Sequence, residues 1–191
     1  MNSVARVRIP DSPPTGHRQV SCFLQKQMKE GIGMAIEKVR AYFEELGIAG
    51  RILEFPVSSA TVELAAQALG TDACRIAKSL SFFVNNGAIL VVAAGDARVD
   101  NAKFKACFGV KAKMLSRDDA ETVIGHAVGG VCPFAVNPGV RVFLDISLNR
   151  FTTVFPACGS SNSAIELQID ELEKYANVDG WVDVCKDWTK E

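Results

Sequence analysis

The chain has 191 residues, 48% hydrophobic and 23% charged, with a formal net charge of −1. That length holds one well-buried core, and that charge argues against a protein gripping nucleic acid over its whole surface. No apolar run approaches the roughly 18 residues of a membrane span, and no apolar stretch near the N-terminus resembles a secretory signal.

Residues 1–33 are broken by Pro10, Pro13, Pro14 and Gly16 and sustain no apolar period, so they are expected to form an irregular extension. From Met34 the pattern changes. Ile36, Val39, Tyr42, Phe43 and Leu46 recur at helical spacing, with Gly47 in the usual position after a helix end. A single domain is therefore expected over residues 34–191. Arg51 to Pro56 is predicted as a short strand. Ser58 and Ser59 are candidate caps for a helix carrying Val62, Ala65, Ala66 and Leu69 on one face and ending at Gly70.

Thr71 and Asp72 can cap a further short turn leading to Lys78. Ser79–Val84 and Ala88–Ala94 are apolar runs flanking Asn85-Asn86-Gly87, whose tolerance of positive φ predicts a hairpin. Asp100 caps a predicted helix through Phe108, closed by Gly109, and Lys111–Leu115 is expected as a strand. Ser116 and Asp119 form a capping pair before Ala120–Ile124, which Gly125 stops. A long loop follows from Gly129 to Gly139. Strands are expected at Val140–Asp145, Thr152–Phe155 and Ala164–Gln168, then a helix from about Asp170 to Tyr175 and a strand near Trp181–Val184. Interleaved elements with one firm hairpin predict an α+β (mixed α/β) fold: a mixed, partly antiparallel sheet with packed helices.

The six cysteines lie 25 to 52 positions apart, with no CxxC and no close Cys/His group, so reduced thiols in a cytoplasmic chain are expected and a structural zinc site is not. Charge is unevenly distributed. Arg98, Lys103, Lys105, Lys111, Lys113 and Arg117 face only Asp100 in their stretch, a net +5, whereas residues 166–191 carry a net −5. These are either two solvated faces that attract weakly, the favoured reading from charge alone, or a basic strip for a phosphate backbone.

Two features suggest chemistry. Lys78 sits in Arg75-Ile76-Ala77-Lys78-Ser79-Leu80, a cation at a strand mouth. About fifty residues later, Gly129-Gly130-Val131-Cys132-Pro133-Phe134 offers free backbone N–H groups in a glycine-rich loop. Together they can hold an anionic or carbonyl-bearing ligand. His126, just before the loop, is a candidate proton shuttle or a structural histidine. Cys132 has no evident His partner, so packing against a ligand is preferred to nucleophilic attack. Asp145, at a strand end, is a turn cap or a site wall.

The ordered series Thr61-Val62-Glu63-Leu64-Ala65-Ala66, Arg75 to Leu80, Gly95-Asp96, Gly129 to Phe134, Val142-Phe143-Leu144-Asp145 and Gly159…Ile165-Glu166-Leu167 resembles the YbaK/EbsC family of aminoacyl-tRNA editing domains. These are relatives of the insertion domain of bacterial prolyl-tRNA synthetase, and the similarity runs from about Met34 to Val184. The resemblance implies a trans-acting deacylase that hydrolyses the ester of a mischarged tRNA, tRNA-Pro foremost, without metal or cofactor. Prolyl-tRNA synthetase is a further implied partner. It makes Lys78 and the Gly129–Cys132 main chain catalytic, and places Pro133, Phe134, His126, Asp145, Gly159 and Ser160 around the substrate. Water or a group of the substrate itself is the implied nucleophile. Ser160-Ser161-Asn162 departs from the basic Arg-Gly form of many relatives. The competing readings are a non-catalytic module binding aminoacyl-tRNA ends or nucleotides, and an adaptor acting through the acidic C-terminal segment.

Overall fold

The computed structural model describes residues 35–85, 87–127 and 129–188; the extension expected over residues 1–33 lies outside them. Helix α1 (Ala35–Glu45) buries Ile36, Val39 and Phe43 of the predicted stripe, while Tyr42 is half-buried and Leu46 lies exposed beyond the helix end. Strand β1 (Leu53–Glu54) is far shorter than the predicted Arg51–Pro56, because both its side chains are exposed and only these two residues find a partner. Helix α2 (Val62–Leu69) is capped by Thr61, whose hydroxyl accepts from Leu64 N at 3.2 Å, and ends at left-handed Gly70. Ser58 and Ser59 do not cap it. Both hydroxyls point to Ser161 O instead.

The centre is the hairpin of β2 (Ile76–Val84) and β3 (Gly87–Ala94), antiparallel with Val84 opposite Gly87 and Asn85 at φ 47°. β4 (Arg98–Val99) leads to α3 (Asn101–Phe108), whose cap Asp100 accepts from Ala102 N and Lys103 N as expected. Lys111–Leu115 joins no regular strand. It nevertheless lies along β2, with Phe83 N donating to Lys113 O at 2.9 Å and Leu115 N to Ser81 O at 3.1 Å. Ser116 caps the short α4 (Arg117–Asp119), which widens into a π-type turn over Ala120–Ile124 and stops at Gly125.

β5 (Arg141–Asp145) and β6 (Thr153–Pro156) follow, close to prediction. The single strand expected at Ala164–Gln168 is two, β7 (Ser163–Ala164) and β8 (Leu167–Gln168), which pair with β1 and β6 respectively. Helix α5 (Ile169–Tyr175) starts with a Gln168–Glu171 capping box, and β9 (Gly180–Val182) and β10 (Cys185–Lys186) end the described fold. The six-stranded sheet has the order β8-β6-β2-β3-β5-β9. β2–β3 and β6–β8 are antiparallel, while β2–β6, β3–β5 and β5–β9 are parallel. The expected mixed sheet is thus present. β3 lies at its centre and is buried from Ala88 onward, which explains a continuous apolar run where an exposed strand would alternate. Phe82, Phe104, Phe108 and Phe143 stack successively against the hairpin, with ring centroids 4.7–5.3 Å apart.

Candidate functional site

One edge of β2 changes partner partway along. β6 pairs only with Ile76 and Ala77, and the segment around Met114 takes over at Phe82. Between them, at residues 78–80, a cleft of about 410 Å³ opens. Lys78, Gly129 and Val131 all line it, so the lysine and the glycine loop, fifty residues apart in sequence, meet in one place. Thr61, Val62, Leu80, Met114, Phe155 and Ala157 supply much of the remaining, largely apolar wall, and Arg117 adds a second cation. Among the described lining residues there is no Asp, Glu or His.

Lys78 is half-buried, and its Nζ donates to Gly95 O at 2.9 Å. Burial lowers its pKa from the ordinary 10.5, opposed by nearby Cys185 and Asp96 and reinforced by Arg98. The carbonyl that steadies it is itself wedged in place. A Cβ on Gly95 would sit 1.9 Å from Ala73 O and 2.7 Å from Val62 Cγ1. Asp96, the next residue, holds Arg150 through two hydrogen bonds of 2.9 and 2.6 Å. This bidentate pair fixes the turn that presents Gly95 O to Lys78.

The glycine loop is fastened from behind. Gly130 packs so closely on Gly159 and Ser160 that a Cβ would lie 2.7 Å from Gly159 C. His126 is fully buried, and its Nε2–H donates to Phe134 O at 2.9 Å. Burial pulls its pKa from 6.5 to about 4, so it is neutral at physiological pH and acts as a brace across the loop. Cys132 is buried beside it, 3.9 Å from His126 Nδ1. Burial pushes that thiol up to about 12, which removes it as a nucleophile at neutral pH. Phe134 stacks edge-on against Phe43 at 4.8 Å, anchoring the loop to α1.

The remaining residues expected around the substrate are not on the cleft surface. Asp145 is fully buried. It accepts from Ser147 N at 3.0 Å, Val184 N at 2.9 Å and Cys185 N at 3.2 Å, so it ties the end of β5 to β10. Gly159 has φ +88° and no room for a Cβ against Ala35 and Ile36. Ser160 Oγ lies 2.7 Å from Ser163 Oγ, while Asn162 exchanges main-chain and side-chain hydrogen bonds with Phe55. The Ser160–Asn162 segment thereby ties down Phe55, Ser58 and Ser59, the last of which lines the cleft. Gly130, Cys132, Pro133 and Phe134 are likewise not among the residues that line the cleft. Sequence reasoning did not assign Arg117, Met114 or Thr61–Val62 to the site; Arg117 figured only in the basic strip.

That strip divides in two. Lys103 bonds Asp183 at 2.7 Å and Lys186 approaches Asp100 at 3.4 Å, so one end meets the acidic C-terminal segment. Lys111, Lys113 and Arg117 are exposed and have no carboxylate partner among the described residues. Also among the described residues, no cluster of His, Cys, Asp or Glu could hold a metal ion, and no helix is long and apolar enough to cross a membrane.

A lysine and a glycine loop on one cleft can hold an anionic or carbonyl-bearing ligand. Residues 57–175 match the profile of the aminoacyl-tRNA editing domain, and the chain belongs to that family. It is 51% identical over 156 residues to the uncharacterised protein YwhH of Bacillus subtilis strain 168, covering 81% of this chain and 99% of that one. Among crystal structures, it is similar to a protein assigned provisionally as a trans-editing enzyme for prolyl-tRNA synthetase. There the identity is 26%, the TM-score 0.73, and the coverage 81% of this chain and 99% of that one. The hypothetical protein APE2540 is 27% identical with a TM-score of 0.70, covering 78% and 99% of the two chains.

Proposed function

We propose that this protein is a trans-acting deacylase that hydrolyses the ester of a mischarged tRNA, tRNA-Pro foremost, during cytoplasmic translation. The observation that carries the reading is the convergence of Lys78 with Gly129 and Val131 on one cleft. An aminoacyl ester is already activated, so catalysis requires mainly placement of the carbonyl and stabilisation of the oxyanion. The N–H groups of Gly129 and Val131 suit the oxyanion, Gly130 N being taken by Ala127 O at 3.0 Å, and the Lys78 ammonium suits it or the terminal phosphate. With no carboxylate or imidazole lining the cleft, the attacking water passes its proton to solvent or to the substrate. The acyl C–O bond breaks and the terminal ribose oxygen is reprotonated, releasing amino acid and tRNA. Arg117 lines the cleft, and with the exposed Lys111 and Lys113 a few positions before it suits the approaching phosphate chain. Prolyl-tRNA synthetase is the partner that would supply the charged tRNA.

Incubation with tRNA-Pro charged with alanine, cysteine, serine or threonine tests the reading. Release of one amino acid well above the spontaneous rate is expected. Tight binding with no release on any substrate would favour the alternative, a non-catalytic module for aminoacyl-tRNA ends.

A further inference from the structure

The broken edge of β2 leaves polar groups that the fold itself does not use. Ser81 O and Phe83 N point toward the Lys113–Leu115 segment. Main-chain direction alternates along a strand, so Ser79 turns its own N–H and C=O to the same side. There it meets no strand. β6 stops pairing at Ala77, and beyond Pro156 the chain turns to bridge Ala164. Ser79 Oγ is also the one buried side-chain oxygen or nitrogen without a hydrogen-bond partner among the described residues. Such orphans are rare in folded proteins and point to a missing partner.

The rest of the cleft defines what that partner must offer. Lys78, Arg117 and the glycine loop present donors. Of the other hydroxyls lining the cleft, three are occupied: Thr61 caps α2, Ser59 donates to Ser161 O, and Ser163 is engaged by Ser160. Resting on the deacylase reading, we propose that Ser79 binds the α-amino group of the aminoacyl moiety, through its carbonyl oxygen and its hydroxyl. An amino group has only hydrogens to give when protonated, and no carboxylate lines the cleft to receive them. Ser79 itself lines the cleft. The side chains of Lys78 and Ser79 leave β2 on opposite faces. Carbonyl and amino group of one ester are thereby addressed by adjacent residues.

The test is calorimetric titration with 3′-aminoacylamino-3′-deoxyadenosines bearing alanyl, seryl, cysteinyl or threonyl groups, and with their N-acetyl forms. At least one free-amine analogue should bind tenfold or more tightly than its N-acetyl form. Ser79→Ala, which keeps the carbonyl and loses the hydroxyl, should reduce that preference several-fold, and Ser79→Thr should keep it. Because no hydrogen bond of the fold is lost, Ser79→Ala should melt no lower than the parent. An undiminished preference in Ser79→Ala, equal binding of both forms, or no binding of any free-amine analogue overturns the proposal. Ser79-dependent binding with no turnover of charged tRNA would refute the deacylase reading and leave the amine site standing.

Discussion

Gly130→Ala offers a purely steric probe of the glycine loop. The added Cβ would lie 2.7 Å from Gly159 C and 2.8 Å from both Gly159 O and Ser160 Cα. Ordinary contact begins at 3.4 Å, so the shortfall is about 0.7 Å against main chain on both sides of the contact. Neither segment can yield cheaply, since Gly159 is itself wedged against Ala35 and the loop is pinned by His126 and Phe134. Overpacking of this kind costs about 1–3 kcal/mol. In a chain of this size each kcal/mol lowers Tm by roughly 2–4 °C. The loop donors would shift by a large fraction of an ångström, and displacements near 1 Å cost about 100-fold in rate. Single-turnover deacylation should therefore slow roughly 10- to 100-fold alongside the drop in Tm. Gly50→Ala is the matched control, with no atom within 4 Å of its Cβ and no positive φ, and should change stability by less than about 0.5 kcal/mol. If Gly130→Ala keeps both parental rate and Tm, the packing argument for the loop is wrong.

Acid sensitivity should follow His126. Its folded pKa of about 4 lies below the 6.5 of an unfolded chain, so the unfolded state binds more protons between those values. Stability therefore falls with pH through that window, by roughly 3 kcal/mol from this group by pH 4. Urea unfolding should show the gap between parent and His126→Gln narrowing as pH drops from 7 to 4.5; parallel curves would contradict the assignment. If Lys111, Lys113 and Arg117 contact phosphates, replacing all three by alanine should weaken tRNA binding and reduce the log–log salt slope by about 0.7 per cation. An unchanged slope would place the tRNA on another face.

Local signals in the sequence carried well into the structure. Asp100 and Ser116 cap where expected, Gly70, Gly109 and Gly125 end their helices, and the Asn-Gly hairpin sets the register of β2 and β3. Each depends only on residues a few positions apart. The misjudged features depend on distant partners. Lys111–Leu115 has a strand's composition but only a brief contact with β2, and Ala164–Gln168 divides because its halves face β1 and β6. Asp145 reads as a turn cap from its place at a strand end, with a site-wall role added by the resemblance, and in the fold it caps Ser147 N. Its three main-chain donors include Val184 and Cys185, forty positions away, which no local pattern reveals. Lys78 and the glycine loop were visible as residue types, and the sheet order brings them together. Arg117 and Ser79 gain their positions from the partner exchange along β2, which leaves no trace in local sequence.

On this mechanism the Lys78 ammonium and the glycine loop act on one bound ester. Single-turnover deacylation of mischarged tRNA-Pro by Lys78→Ala, with its fold verified by thermal melting, is the decisive experiment. Loss of a charged group at the developing oxyanion should slow the reaction about 100- to 1000-fold with little change in Tm. A correctly folded Lys78→Ala that hydrolyses the ester at the parental rate would contradict the account.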